Sequence, residues 1–125
     1  VKVIIAGSRH AEGNRWLRAL KGALDALEAD KGRITLVISG TAKGMDTIGE
    51  SWAAWRRVPV QRIPADWGSW GRSAGPRRNG RMVAMADALV CLHDGGPGSA
   101  DVMRQAREKG LVVVELDMRE PCAQK

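Results

Sequence analysis

The chain has 125 residues, 44% of them apolar, with five tryptophans as its only aromatics; that suffices for one domain with a real core and not for two. No apolar run approaches the ~20 residues that cross a bilayer, which argues against a membrane protein. The two cysteines, Cys91 and Cys122, fit no metal or disulfide framework, which favours a reducing, cytoplasmic setting.

The net charge is +6, and its whole excess lies in one segment. Between Arg56 and Arg81 there are seven arginines and one acid, Asp66, which leaves 13 basic and 13 acidic residues elsewhere. A localised positive field points to an anionic partner: nucleotide, nucleic acid or phosphometabolite. A solvated arginine-rich loop is the plainer alternative.

The opening "VKVIIAGSR" is too short for a signal peptide and has no cleavage pattern, and Val1 is expected to follow an initiator methionine. Residues 2–6, "KVIIA", read as a buried strand stopped by Gly7. From 14 to 29, Leu17, Leu20, Leu24 and Leu27 recur at three- and four-residue steps, which predicts a helix with one apolar face. "ITLVIS" (34–39) is a second strand ending at Gly40. A second helix runs from Gly44 to Arg57, with Ile48, Trp52 and Trp55 on its inner face as core or interface. "VQRI" (60–63) is a third strand, followed by a loop rich in Gly, Ser and Trp to about Gly75. Pro76 suits the first turn of a third helix carrying Met82, Met85 and Ala86. "ALVCL" (88–92) is a fourth strand with Cys91 as a reduced core residue. Ser99 can cap a fourth helix running to Lys109, stopped by Gly110. "LVVVEL" (111–116) is the fifth strand; residues 1–117 form the domain, and 118–125 read as a frayed tail.

Continuous apolar strands are buried on both faces, and strands alternating with helices are joined by right-handed crossovers. The prediction is an α/β, three-layer, Rossmann-like domain with a parallel five-stranded sheet in the order 3-2-1-4-5. Ligands of such sheets bind outside the carboxyl ends of the strands, where the order reverses, here between strands 1 and 4.

Three glycine-rich turns fall on that rim: Gly7-Ser8-Arg9, Ser39-Gly40-Thr41-Ala42-Lys43-Gly44, and Gly95-Gly96-Pro97-Gly98-Ser99. Glycine admits close approach to the main chain, and a following helix offers unpaired N–H groups and the positive end of its dipole. The third turn is therefore expected to hold a phosphate, with Ser99 Oγ and backbone N–H groups as donors. The alternative is a tight strand-to-helix turn without a ligand. Neither a P-loop nor a G-x-G-x-x-G pattern is present, and no cofactor or metal pattern is legible.

Around the rim, Arg9 can pair with a phosphate or hold a loop carboxylate. Asp46 can bind a ribose hydroxyl or interact with its own helix N-terminus. At least one of Arg77, Arg78 and Arg81 is expected to meet a phosphate, and Asn79 can read a base or ribose. Lys43 reads as solvated. Trp67 and Trp70 can stack on a base or pack against the domain or a dimer mate. His10 and His93 could form an acid–base pair at the crevice, but structural roles are the preferred reading.

The segments "AGSR" (6–9), "SGTAKGMD" (39–46) and "RRNGRM…ADALV…GGPGSAD" (77–101) resemble the SLOG superfamily, most of all its YspA-like branch. The resemblance implies a Rossmann-like fold, dimers, and binding of nucleoside monophosphates or ADP-ribose derivatives in sensing or defence. DprA/Smf proteins share a similar "GSR" and "SG-x-A-x-G-x-D"; that likeness implies single-stranded nucleic acid as another possible partner. Lonely-guy enzymes, which cleave the N-glycosidic bond of nucleoside 5′-monophosphates, have a P-G-G-x-G-T-x-x-E motif. Gly95, Gly96, Gly98 and Ser99 match its glycines and threonine, and Arg77 or Arg78 its arginine. Its catalytic glutamate falls on Val102, and Asp101 is the one nearby group that could replace it.

Overall fold

The computed structural model describes residues 1–11, 13–42 and 44–119. Five strands, β1 (Lys2–Gly7), β2 (Leu36–Ser39), β3 (Val60–Arg62), β4 (Ala88–His93) and β5 (Val112–Asp117), form one parallel sheet in the order β3-β2-β1-β4-β5. The predicted fold and strand order are both present.

The register explains the unbroken apolar runs. Val3, Ile5, Val37, Val90 and Leu92 feed one core, with Leu20, Leu24 and Leu27 of α1 (Asn14–Lys31) and Trp52 of α2 (Met45–Arg56). Ile4, Ala6, Ile38, Leu89 and Cys91 feed the opposite core, with Met82 and Val83 of α4 (Ala74–Met85) and Val102, Met103 and Ala106 of α5 (Pro97–Lys109). Alternate side chains of a strand point to opposite faces, so a strand covered on both must be apolar throughout.

Three local expectations are corrected. The stretch after β3 is not all loop: α3 (Trp67–Trp70) forms a single helical turn, capped by Asp66, whose Oδ1 accepts from the Ser69 amide at 3.1 Å. A 3-10 turn (Gly71–Ser73) leads straight into α4, which begins at Ala74 rather than after Gly75; Pro76, its third residue, lies in the first turn as expected. Trp55 is not on the inner face of α2; it is 65% exposed, beneath the Lys21 ammonium of α1.

Met118 is buried and its amide donates to the His93 carbonyl, so residue 118 continues the packed structure. The rest of the expected tail from 120 on, with Cys122, and Lys43 lie outside the described residues. Among the described residues, no helix is long and apolar enough to cross a membrane.

Candidate functional site

The exits of β1, β2 and β4 meet at the point where the strand order reverses. The main chain holds them together. The Ser8 amide donates to the Leu92 carbonyl at 3.0 Å, and the Met45 amide donates to the Ser8 carbonyl at 2.9 Å. Two glycines permit this closeness. A Cβ on Gly7 would lie 1.9 Å from the Leu92 carbonyl oxygen, and one on Gly44 would lie 2.3 Å from the Ser8 carbonyl oxygen. Gly44 also has φ +75°, a conformation that disfavours side chains.

A crevice of about 360 Å³ opens above this junction. Ala6, Gly7, Ser8, Arg9 and His10 line it from β1 and its exit. Ala42 and Asp46 come from the β2 exit and α2; Arg78, Asn79 and Met82 come from α4. Asp94, Gly96, Pro97, Gly98, Ser99 and Val102 complete it from the β4 exit and α5. The Gly7–Arg9 turn and residues Gly96–Ser99 of the expected Gly95–Ser99 turn thus line one hollow.

The start of α5 faces that hollow without a side-chain cap. Gly96 is the N-cap residue and Pro97 the first helical one. Ser99 does not cap the helix as expected. It lies inside the first turn and is buried. Burial pushes the nearby Cys91 thiol up to about 12, so Cys91 is an inert core group. Proline at the first position is the reason for the shift: its missing N–H costs nothing there, and its φ suits the helix.

Other candidates prove to be the scaffold of the crevice. Ser8 Oγ donates to Asp94 Oδ2 at 2.9 Å and accepts from the His10 amide at 3.0 Å. Ser39, behind the wall, donates to Glu50 Oε2 at 2.7 Å and accepts from the Thr41 amide at 3.1 Å. Thr41 is held at φ +63°, strained for a β-branched residue, in the same turn. Gly40 is needed because Arg78 crosses it: a Cβ there would sit 2.4 Å from Arg78 Nη1 and 3.0 Å from Asp46 Oδ2.

Arg78 and Arg77 diverge. Arg78 is half-buried; it donates to the Gly40 carbonyl at 2.6 Å and to Asn79 Oδ1 at 2.9 Å while lining the crevice. Arg77 is exposed, outside the lining, with its guanidinium 3.8 Å above the Trp70 ring. Successive helix residues point about 100° apart, so only one of the pair can face the hollow.

Asp46 is buried, and Oδ2 accepts from the Ala42 amide at 3.1 Å. It braces the loop before α2 and leaves its expected ribose role to be tested. Burial raises its pKa to about 6, although the Ala42 amide and Arg78 pull it down. Asp101 lies outside the lining. It accepts from Asn79 Nδ2 at 2.9 Å, Gln105 Nε2 at 2.8 Å and Arg104 Nη2 at 2.9 Å. Burial works to raise its pKa, but those three donors outweigh it and hold the carboxyl below the ordinary range.

The two histidines do not meet. His10 is exposed on the crevice rim; His93 is buried, with Nε2 2.8 Å from Glu115 Oε2 and Nδ1 accepting from the Gly95 amide at 3.0 Å. Gly95, also outside the lining, has φ +94°, and Arg119 covers it: a Cβ would sit 2.4 Å from its Nη1. The sequence reading missed Asp94, Ala42, Pro97, Met82 and Val102 as lining residues. Met82 was within reach, because it lies one turn beyond Arg78 on the same helix face.

The fold defines a Rossmann-like protein, with a crevice at the strand-order reversal. Residues 1–70 match the family described as "YAcAr: YspA, cpYpsA-related SLOG family", more than half of the chain, and the protein belongs to that family. Neither the curated proteins nor the solved structures include a match.

Proposed function

We propose that the crevice binds a nucleotide or nucleotide-derived anion of the nucleoside monophosphate or ADP-ribose type, in a sensing rather than a catalytic role. One observation carries this reading: the uncapped start of α5 and the Arg9 and Arg78 side chains converge on the same hollow. The Gly98 and Ser99 amides and the dipole of a 13-residue helix favour a phosphate there. Arg9 supplies a charge-assisted partner. Ala6, Met82, Pro97 and Val102 add apolar surface to the lining, suited to a base or ribose. The volume lies within the ~300–1,000 Å³ usual for small-ligand sites.

A phosphoribohydrolase is the weaker reading. Val102 stands in the wall with no proton to exchange, and Asp101 is engaged by three donors outside it. Incubation with AMP should therefore release no adenine.

Calorimetric titration with AMP, ADP-ribose and adenosine tests the proposal. We expect one saturable site for a phosphorylated ligand, a matching rise in melting temperature, and no binding of adenosine. Arg9→Ala should weaken binding about tenfold or more without a change in stability, since loss of a charge-assisted bond costs roughly 1.5–3 kcal/mol. Equal binding of adenosine and AMP would contradict the phosphate seat.

A further inference from the structure

Apart from Arg78 and Asn79, which line the crevice, residues 66–81 build a second surface that the nucleotide reading does not use. Trp67 and Trp70 of α3 are 52% and 51% exposed. Trp67 rests on α4, where a Cβ on Gly75 would come within 3.3 Å of its Cη2. Trp70 has the Arg77 guanidinium on one face of its ring at 3.8 Å. Arg77 and Arg81 are one helical turn apart on α4, and Arg72 lies in the 3-10 turn between α3 and α4. All three arginines are exposed, and none is ion-paired with a described residue. The segment's one acid, Asp66, is occupied in capping α3.

Several arginines elsewhere are held in ion pairs. Arg56 pairs with Glu28, Arg62 with Glu50, Arg104 with Asp101 and Glu108, and Arg107 with Glu115. Three exposed guanidinium groups without an acidic partner among the described residues thus stand beside two half-exposed indoles. A partner that fits must offer flat rings and regularly spaced negative charge. An acidic peptide supplies the charge without the rings. A duplex hides its bases in the stack, whereas a single strand exposes both.

We infer that the α3–α4 surface, Trp67, Trp70, Arg72, Arg77 and Arg81, is a binding platform for single-stranded nucleic acid. Bases stack on the indoles, and phosphates pair with the guanidinium groups. Contacts of this kind carry little base preference, because every base has a π-face.

The test is fluorescence anisotropy with a labelled thymidine oligonucleotide of about 12 nucleotides, within the ordinary span of such sites. Three phosphate contacts predict that affinity falls about twentyfold between about 50 and 200 mM salt. Trp67→Ala with Trp70→Ala should weaken binding at least tenfold, as should Arg72→Glu with Arg81→Glu. The second pair changes only exposed side chains, so it decides the matter even if the first pair fails to fold. Excess AMP should leave the complex intact, because the platform is separate from the crevice. Should AMP fail to bind at all while the oligonucleotide binds, the crevice reading falls and this one stands. Displacement by AMP, equal affinity for duplex or polyglutamate, or an interface between two copies that buries Trp67 and Trp70 would each overturn the platform.

Discussion

Ser8 Oγ donates a 2.9 Å hydrogen bond to Asp94 Oδ2, which ties the exit of β1 to the exit of β4 at the point where the strand order reverses. The same oxygen accepts from the His10 amide, so one hydroxyl fixes both the turn carrying Arg9 and the acid before the Gly95–Ser99 turn. Ser8→Ala should cost about 1 kcal/mol of stability, the usual net worth of such a bond. It should also weaken phosphate-ligand affinity, because the two walls lose their side-chain tie and keep only the bond from the Ser8 amide to the Leu92 carbonyl. Urea unfolding alongside calorimetry checks both effects.

Gly44 and Gly98 should respond in opposite ways to alanine. Gly44 combines φ +75° with a Cβ position 2.3 Å from the Ser8 carbonyl oxygen. Gly44→Ala should lose about 2 kcal/mol or more. A Cβ on Gly98 meets nothing within 4 Å. Gly98→Ala should leave the melting temperature within a degree or two and instead weaken ligand binding by narrowing the phosphate seat. Thermal melts with and without AMP separate the two outcomes.

Asp46 makes stability depend on pH in a definite direction. Burial raises its folded pKa to about 6, above the ordinary 3.8. Its protonated form is therefore favoured by folding. That contribution is full below about pH 4 and is lost as the pH rises through 6. The shift corresponds to roughly 3 kcal/mol at most. Asp46→Asn cannot titrate, so the variant should gain stability relative to the parent between about pH 4 and 8. Parallel denaturant titrations across that range measure the difference, and a constant offset would refute the buried-acid account.

Asp101→Asn should disturb structure and spare binding. The carboxylate accepts from Asn79, Gln105 and Arg104, and an amide can accept at only one of its two ends. A loss of about 1–2 kcal/mol follows, with AMP affinity unchanged within about twofold. Any adenine released by the parent and abolished in this variant would instead make Asp101 an acid–base group.

The layers of this domain were legible because burial on both faces leaves a strand no polar position. Val3 and Ile4 enter opposite cores, so the run 2–6 reads as apolar without alternation. Crossover handedness then supplied the strand order. Short and competing signals were harder. One turn of helix at Trp67–Trp70 has no period to detect, and its stabilising bond, from the Ser69 amide to Asp66, resembles an ordinary loop turn. At α5 only Ser99 was read as a start, whereas the helix begins at Pro97, whose missing N–H costs nothing in a first turn.

The site was legible as a rim, not as a set of contacts. Glycines 7, 40 and 44 announced close approach, and each has a neighbour that a Cβ would strike. Which of Arg77 and Arg78 faces inward depends on how α4 is rotated on the sheet, a tertiary property. The Ser8–Asp94 pair spans 86 residues, and nothing local in either segment specifies it.

The central claim is that the start of α5 seats a phosphate in the crevice. Following backbone amide chemical shifts during titration with AMP, and in parallel with adenosine, tests it most directly. Saturable shifts of the Gly98 and Ser99 amides with AMP and none with adenosine are expected. Unmoved amides at Gly98 and Ser99 at saturating AMP, or identical shifts with both compounds, would contradict it.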